Sequence, residues 1–254
     1  MTVGGQEVRR DRESLVRAIG TSGLFRGLDG ELIQRLVPHT SIHHLEHGER
    51  FWTKGVTAEH FHVVLRGVLE LQRVVAGGET TLVAFFGPGE SPAIPVTLER
   101  RPFIADSYAA TPVLEILRVR AAPILEALPH DAALANTMNR ALLDHCRLTH
   151  SKIDVLAAGS VPRRLAAFLL DMADRFGDEH DDGTTHIPLH LSRHQLATYV
   201  GARVETTIRV MSSWQKQGLV RTTRTGFDIP LPERLRSILE ESDTPSLGLD
   251  PAER

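Results

Sequence analysis

The chain of 254 residues is 41% hydrophobic and 24% charged, a globular balance that confines disorder to local segments and suits two modest domains. Its net charge of −3 excludes a molecule coated all over with nucleic-acid-binding charge, although an average can conceal a basic patch. The single cysteine, Cys146, excludes an intramolecular disulfide framework and the several thiolates of an iron–sulfur cluster or cysteine-rich zinc site.

No run approaches the roughly 18 apolar residues of a membrane span, and residues 1–12 are polar and mixed in charge. The expectation is therefore a cytoplasmic protein with no membrane role. Residues 15–36 read as short helices broken by Gly20, Gly23, Gly27 and Gly30. From 40 to 119 the texture changes to short β-type runs at 61–65, 68–71, 81–86 and 113–117. They are separated by Arg66-Gly67, Ala76-Gly77-Gly78 and Gly87-Pro88-Gly89. Many short strands at such spacing predict a jelly-roll type β-roll over 1–130.

Past Pro129 the punctuation stops. Leu134, Met138, Ala141, His145, Leu148, Lys152 and Val155 then recur at alternating steps of four and three, which is the seam of a coiled coil. Residues 131–158 are thus expected to form a dimerisation helix, with His145 and Lys152 as poor seam residues. Ser160 and Pro162 restart the chain, and 163–176 is a second amphipathic helix ending at Gly177. A polar loop follows at 178–185, and residues 237–254, rich in Pro, Gly and acid from Ser242, read as a disordered tail.

The chemistry concentrates in 159–236. Between His190 and Arg236 there are eight Lys or Arg against three Asp or Glu, so the basic surplus is C-terminal. Ser192 caps a short helix that buries Leu196, Ala197 and Val200. Gly201 supplies a tight turn, and a second helix follows whose buried side draws on Ile208, Val210 or Met211, and Trp214. β-like residues with Arg221, Arg224 and Thr225-Gly226 make a wing. Two short helices across a glycine turn form a helix-turn-helix, whose second helix presents its N-terminal part to the major groove of double-stranded DNA. Arg209 can donate to the guanine O6/N7 edge and Glu205 can accept from cytosine N4. Arg203, at the helix entrance, suits a phosphate, as do the hydroxyls of Ser192, Thr206, Thr207 and Ser212.

Residues 161–236 resemble the DNA-binding domain of the CRP/FNR family of transcription regulators. The matching residues are Gly201, Glu205, Thr206, Arg209 and the exit Gly218-Leu219-Val220. Val204 before the glutamate is similar to the FNR branch, which implies half-sites of the TTGAT type, with Ile208 leaving one base preference open. The front half resembles the family's cyclic-nucleotide-binding β-roll through Gly48-Glu49, 61–67 and Phe86-Gly87-Pro88-Gly89-Glu90. The resemblance implies Gly89-Glu90 at a ribose, Arg101 at a phosphate and Thr149 at a base. Pro102 departs from the pattern, since proline offers neither N–H nor hydroxyl to a phosphate, and His150 replaces a second hydroxyl.

The fold expected is α+β: β-roll, long helix, winged helix-turn-helix. The function expected is a homodimeric regulator on a palindromic operator, controlled through the roll, with RNA polymerase as a further partner in activation. A cyclic nucleotide is the effector this resemblance implies. The alternative is a haem-dependent gas or redox sensor on the same scaffold, since His39, His43, His44, His47, His60 and His62 crowd together. Yet no spacing there defines a metal site, and alternation along strands scatters these side chains over both faces. No phosphate-cradling glycine loop, nucleophile elbow or metal-ligand cluster supports an enzyme.

Overall fold

The computed structural model describes residues 4–8, 11–75 and 78–240. The first half runs β1 (Gln6–Val8), α1 (Arg12–Thr21), α2 (Gly30–Leu36), β2 (Thr40–Glu46), β3 (His60–Arg66), β4 (Leu69–Val74), β5 (Thr80–Phe86), α3 (Ile94–Leu98), β6 (Asp106–Ala109), β7 (Val113–Arg120) and α4 (Ala121–Ala127). The second half follows with α5 (Ala132–Ala157), α6 (Val161–Phe176), β8 (Asp178–Glu179), β9 (Thr185–Ile187), α7 (Arg193–Val200), α8 (Val204–Lys216), β10 (Arg221–Thr222), β11 (Phe227–Ile229) and α9 (Pro232–Glu240).

Two antiparallel sheets, in the orders β1-β2-β7-β3 and β5-β4-β6, face each other as a β-roll. Alternation decides which side chains fill it. Leu45, Val64, Leu114 and Ile116 point inward to meet Leu69, Leu71 and Phe86, with Phe51, Trp52 and Phe103 added from the connecting loops. The residues between them in sequence, Ile42, Phe61, Val63, Leu117 and Val119, point outward under α1, α2, α4 and the start of α5. β7 is therefore apolar on both faces, which is why its sequence shows a nearly continuous run. Strands β1, β2 and β6 add to the four runs visible in the sequence. Of the expected turn at 76–78, Ala76 and Gly77 lie outside the described residues.

The long helix has the expected length, capped where the Asp131 side chain accepts from Leu134 N, but the seam read from its sequence needs correction. Leu134, Met138 and Val155 are buried within the same chain, Leu148 packs on the roll interior, and the Lys152 ammonium lies under the Tyr199 ring while donating to the Tyr199 carbonyl at 2.5 Å. Those alternating steps record attachment to the chain's own domains, and His145 and Lys152 are tolerated because they do not sit in a dry helix pair. The opposite face carries Asn136, Asn139, Leu143, Cys146, His150, Ile153 and Ala157, again at steps of three and four, and all seven are exposed.

The second domain packs α6, α7, α8 and α9 with a sheet of order β10-β11-β9-β8. Its core continues into the roll through Phe85, whose ring lies 5.8 Å from Tyr199 and 6.3 Å from Phe168. The expected disordered tail is corrected in part: residues 237–240 finish α9, whose Leu235 is fully buried, and 241–254 lie outside the described residues.

Candidate nucleic-acid interface

Helix α7 begins at a reciprocal cap: Ser192 Oγ accepts from Gln195 N at 3.1 Å, and Gln195 Oε1 accepts from Ser192 N at 2.9 Å. This satisfies two of the first-turn amides that no helical carbonyl can reach. It ends at Gly201, whose φ of 62° places it in the left-handed region that other residues enter at a cost. The chain reverses there, and α8 starts at Val204 after Arg203 as N-cap. Met211 and Trp214 hold α8 against the core.

The outward face of α8 carries Arg203, Glu205, Ile208, Arg209 and Ser212, all exposed, with Thr206 half-buried. Glu205 and Arg209 sit four residues apart, yet among the described residues neither enters an ion pair, so both remain free to meet a ligand. Two expectations are corrected. Thr207 is fully buried and donates to the Arg203 carbonyl at 3.2 Å, so its hydroxyl holds the first turn of α8 and cannot reach a phosphate. Ile208, considered for the buried side, is 45% exposed and presents an apolar patch beside Glu205 and Arg209.

The wing is β10, its turn and β11. Thr223 N donates to Gly226 O at 2.9 Å, and a Cβ on Gly226 would lie 1.9 Å from the Ile187 carbonyl, so only glycine allows β11 to close on β9. Arg193 Nη2 donates to Thr222 Oγ1 at 2.7 Å, which ties the wing to α7. Arg221 and Arg224 stay exposed on the wing.

The roll residues expected to hold an effector do not converge. Glu90 Oε2 accepts from Gly87 N at 2.7 Å and pairs with Arg175 of α6 at 2.9 Å. Arg101 is exposed beside Glu99 at 3.4 Å, and the exposed Thr149 donates to the His145 carbonyl at 3.1 Å. A groove of about 480 Å³ between α5 and the turn after β5 contains Gly89 and Glu90 but neither Arg101 nor Thr149. The apolar roll interior is filled by Phe51, Phe86 and Phe103. Glu90, Arg101 and Thr149 are thus not brought together around one pocket of this chain. The sequence reading also missed Arg175, because its partner lies 85 residues away and no local spacing marks the pair.

The six clustered histidines separate only in part: His44 lies 3.4 Å from Glu115, whereas His43, His60 and His62 share the inward face of the roll, with His43 and His62 buried. Among the described residues, no group of three or more His, Cys, Asp or Glu converges as a metal site, and no helix is long and apolar enough to cross a membrane.

Residues 163–238 match the model of the Crp-like helix-turn-helix domain, and residues 42–131 match that of the cyclic nucleotide-binding domain. The nitrogen fixation regulation protein FixK of Bradyrhizobium diazoefficiens is 24% identical over 87% of this chain and 91% of its own. The CRP-like cAMP-activated global transcriptional regulator of Mycobacterium tuberculosis is 22% identical over 85% of this chain and 96% of its own. The structure of FixK2 from Bradyrhizobium japonicum superposes with a TM-score of 0.64 at 20% identity, covering 81% of this chain and 99% of that one. These relatives are regulators of transcription, not enzymes.

Proposed function

We propose that this chain, which belongs to the CRP/FNR family of transcription regulators, is a cytoplasmic homodimer that binds a palindromic operator in duplex DNA under control of its β-roll. The observation that carries the DNA-binding reading is the outward face of α8, where Glu205 and Arg209 are exposed and, among the described residues, in no ion pair. Met211 and Trp214 hold the helix from behind and leave its N-terminal turns facing outward. Arg209 is assigned to a guanine and Glu205 to a cytosine amino group, in half-sites of the TTGAT type. Arg203, Thr206, Ser192 and Ser212 supply phosphate contacts that set register. The Ser192 hydroxyl would keep its cap bond while its free proton faces outward.

The exposed face of α5 supports dimerisation. Leu143, Cys146, His150, Ile153 and Ala157 at steps of three and four make a seam that a second copy can cover, and pairing there sets two α8 helices at a fixed separation. An operator read in successive major grooves needs about 34 Å between them. Because Glu90 and Phe85 of the roll contact α6 and α7 directly, a change in the roll is transmitted to α8 through packed side chains. Activation would add RNA polymerase as a partner.

The test is anisotropy titration of duplexes selected from a random pool. Arg209→Ala should weaken specific binding by about 1–3 kcal/mol and relax preference at one base pair, with the fold intact. Undiminished, equally selective binding by the variant would remove α8 from the interface.

A further inference from the structure

The roll interior is apolar along most of its length and polar at one end. His43 of β2, His60 and His62 of β3 and Arg118 of β7 stand on the inward face, because the register sets His62 opposite Arg118 and His43 opposite Ile116. Glu7 of β1 is paired with His43 and shares that face. A cavity of about 580 Å³ opens onto the cluster, lined by Trp52, Thr57, His60, His62, Phe103 and Arg118 together with neighbouring loop residues. Trp52 and Phe103 stack at 4.5 Å with their planes 13° apart, and the His62 ring lies 5.1 Å from Trp52. One wall is thus flat and aromatic.

Several polar atoms of this cluster are unmatched, although His43 Nε2 lies 3.1 Å from Ser41 Oγ. His62 is 2% exposed, yet among the described residues its Nδ1 has no hydrogen-bonding partner, and neither do His43 Nδ1 and Arg118 Nε. Arg118 Nη2 lies 3.2 Å from His60 Nδ1, which as acceptor places the His60 proton on Nε2. Among the described residues Arg118 enters no ion pair; Glu7 and Glu59 are the carboxylates that act on it from a distance. Burial first, then the neighbouring cationic groups, holds His43, His60 and His62 below the ordinary imidazole range. Near neutral pH the cluster therefore carries one positive charge, the guanidinium, surrounded by neutral imidazoles that can each offer one N–H.

Among the described residues Arg118 is the one cationic side chain that lines the cavity, with Glu59 at its rim and Arg120 acting on His60 from outside the lining, a balance that suits a monoanion better than a dianion such as a phosphate monoester. A guanidinium fork fits a carboxylate in plane, and the stacked indole and phenyl rings fit a flat body. We propose that this end of the roll binds a small planar monocarboxylate, its carboxylate against Arg118 and His62 and its ring against Trp52 and Phe103. This site is separate from the α8 face and from the groove containing Gly89 and Glu90, so it stands or falls independently of the DNA-binding reading.

Benzoate is the probe. The sequence holds two tryptophans, Trp52 and Trp214, so in full-length Trp214→Phe protein the emission reports Trp52 alone. Benzoate should change that emission saturably, and benzamide, the neutral analogue, should bind about tenfold more weakly or worse. Arg118→Gln should weaken benzoate by about tenfold or more. Thr57→Phe, at an exposed rim position, should do the same by blocking the mouth, and serves if Arg118→Gln does not fold. Inorganic phosphate should not compete. No saturable change at millimolar benzoate, equal affinity for benzamide, effective competition by phosphate, or undiminished binding in the folded variants would each overturn the assignment.

Discussion

The Glu90 carboxylate and the Arg175 guanidinium lie 2.9 Å apart and join the turn after β5 to α6, across the boundary between the two domains. Arg175 Nη2 also donates to the Phe85 carbonyl at 2.8 Å, and its guanidinium lies 4.5 Å over the Phe176 ring. Phe176 in turn closes on Gly87, where an added Cβ would sit 2.5 Å from the ring. A carboxylate whose setting resembles a ligand site is here a structural tie.

Both side chains are partly buried, at 17% and 30% exposure, so the pair keeps more of its strength than a surface bridge does. Arg175→Met should cost about 2 kcal/mol and Glu90→Gln about 1 kcal/mol. Chemical denaturation of the two single variants and the double variant measures their coupling, expected near 1 kcal/mol. Additive losses would mean that the two residues stabilise the protein independently.

The two faces of α5 should respond oppositely to substitution. Met138→Ala, in the face attached to the roll, should cost about 2–4 kcal/mol of stability through the cavity it leaves. Leu143→Asp and Ile153→Asp, on the exposed face, should leave monomer stability nearly unchanged and shift the sedimentation coefficient from dimer to monomer. If both remain dimeric, the seam lies elsewhere.

Two hydroxyls on α8 should likewise separate. Thr207→Ala removes the buried bond to the Arg203 carbonyl and should lower stability by about 1 kcal/mol while sparing DNA selectivity. Ser212→Ala, at an exposed position, should leave the melting temperature in place and weaken binding equally across sequences, as loss of a phosphate contact does. The reverse pattern would exchange their roles.

The imidazole cluster should make the protein sensitive to acid. His60 is held at about 4, against an ordinary value of 6.5, by burial and the nearby arginines, and His43 and His62 are lowered for the same first reason. Between pH 6.5 and 4 the unfolded chain therefore binds protons that the folded chain refuses, and stability falls as pH falls through that window. Melting curves from pH 7.5 to 4.5 should show this loss, and His60→Gln should flatten part of it. An unchanged slope in the variant would place the acid-sensitive groups elsewhere.

What sequence alone determined about this protein is the helix-turn-helix, because its signals are local. The Ser192 cap, the Gly201 turn and the spacing of Glu205 and Arg209 all fall within one short segment, whose helical geometry dictates what faces outward. The length of α5 was legible for the same reason. Which of its two faces stays free was not: both repeat in steps of three and four, and only the position of the roll and of Tyr199 decides between them. Glu90 shows the same limit, since its partner Arg175 is brought to it by the docking of whole domains. His43, His60, His62 and Arg118 belong to three strands, and alternation scatters histidines along each one. Only the register of β2, β7 and β3, set by burying Ile116 and its neighbours, gathers those four side chains on one inward face, where His60, His62 and Arg118 line one cavity.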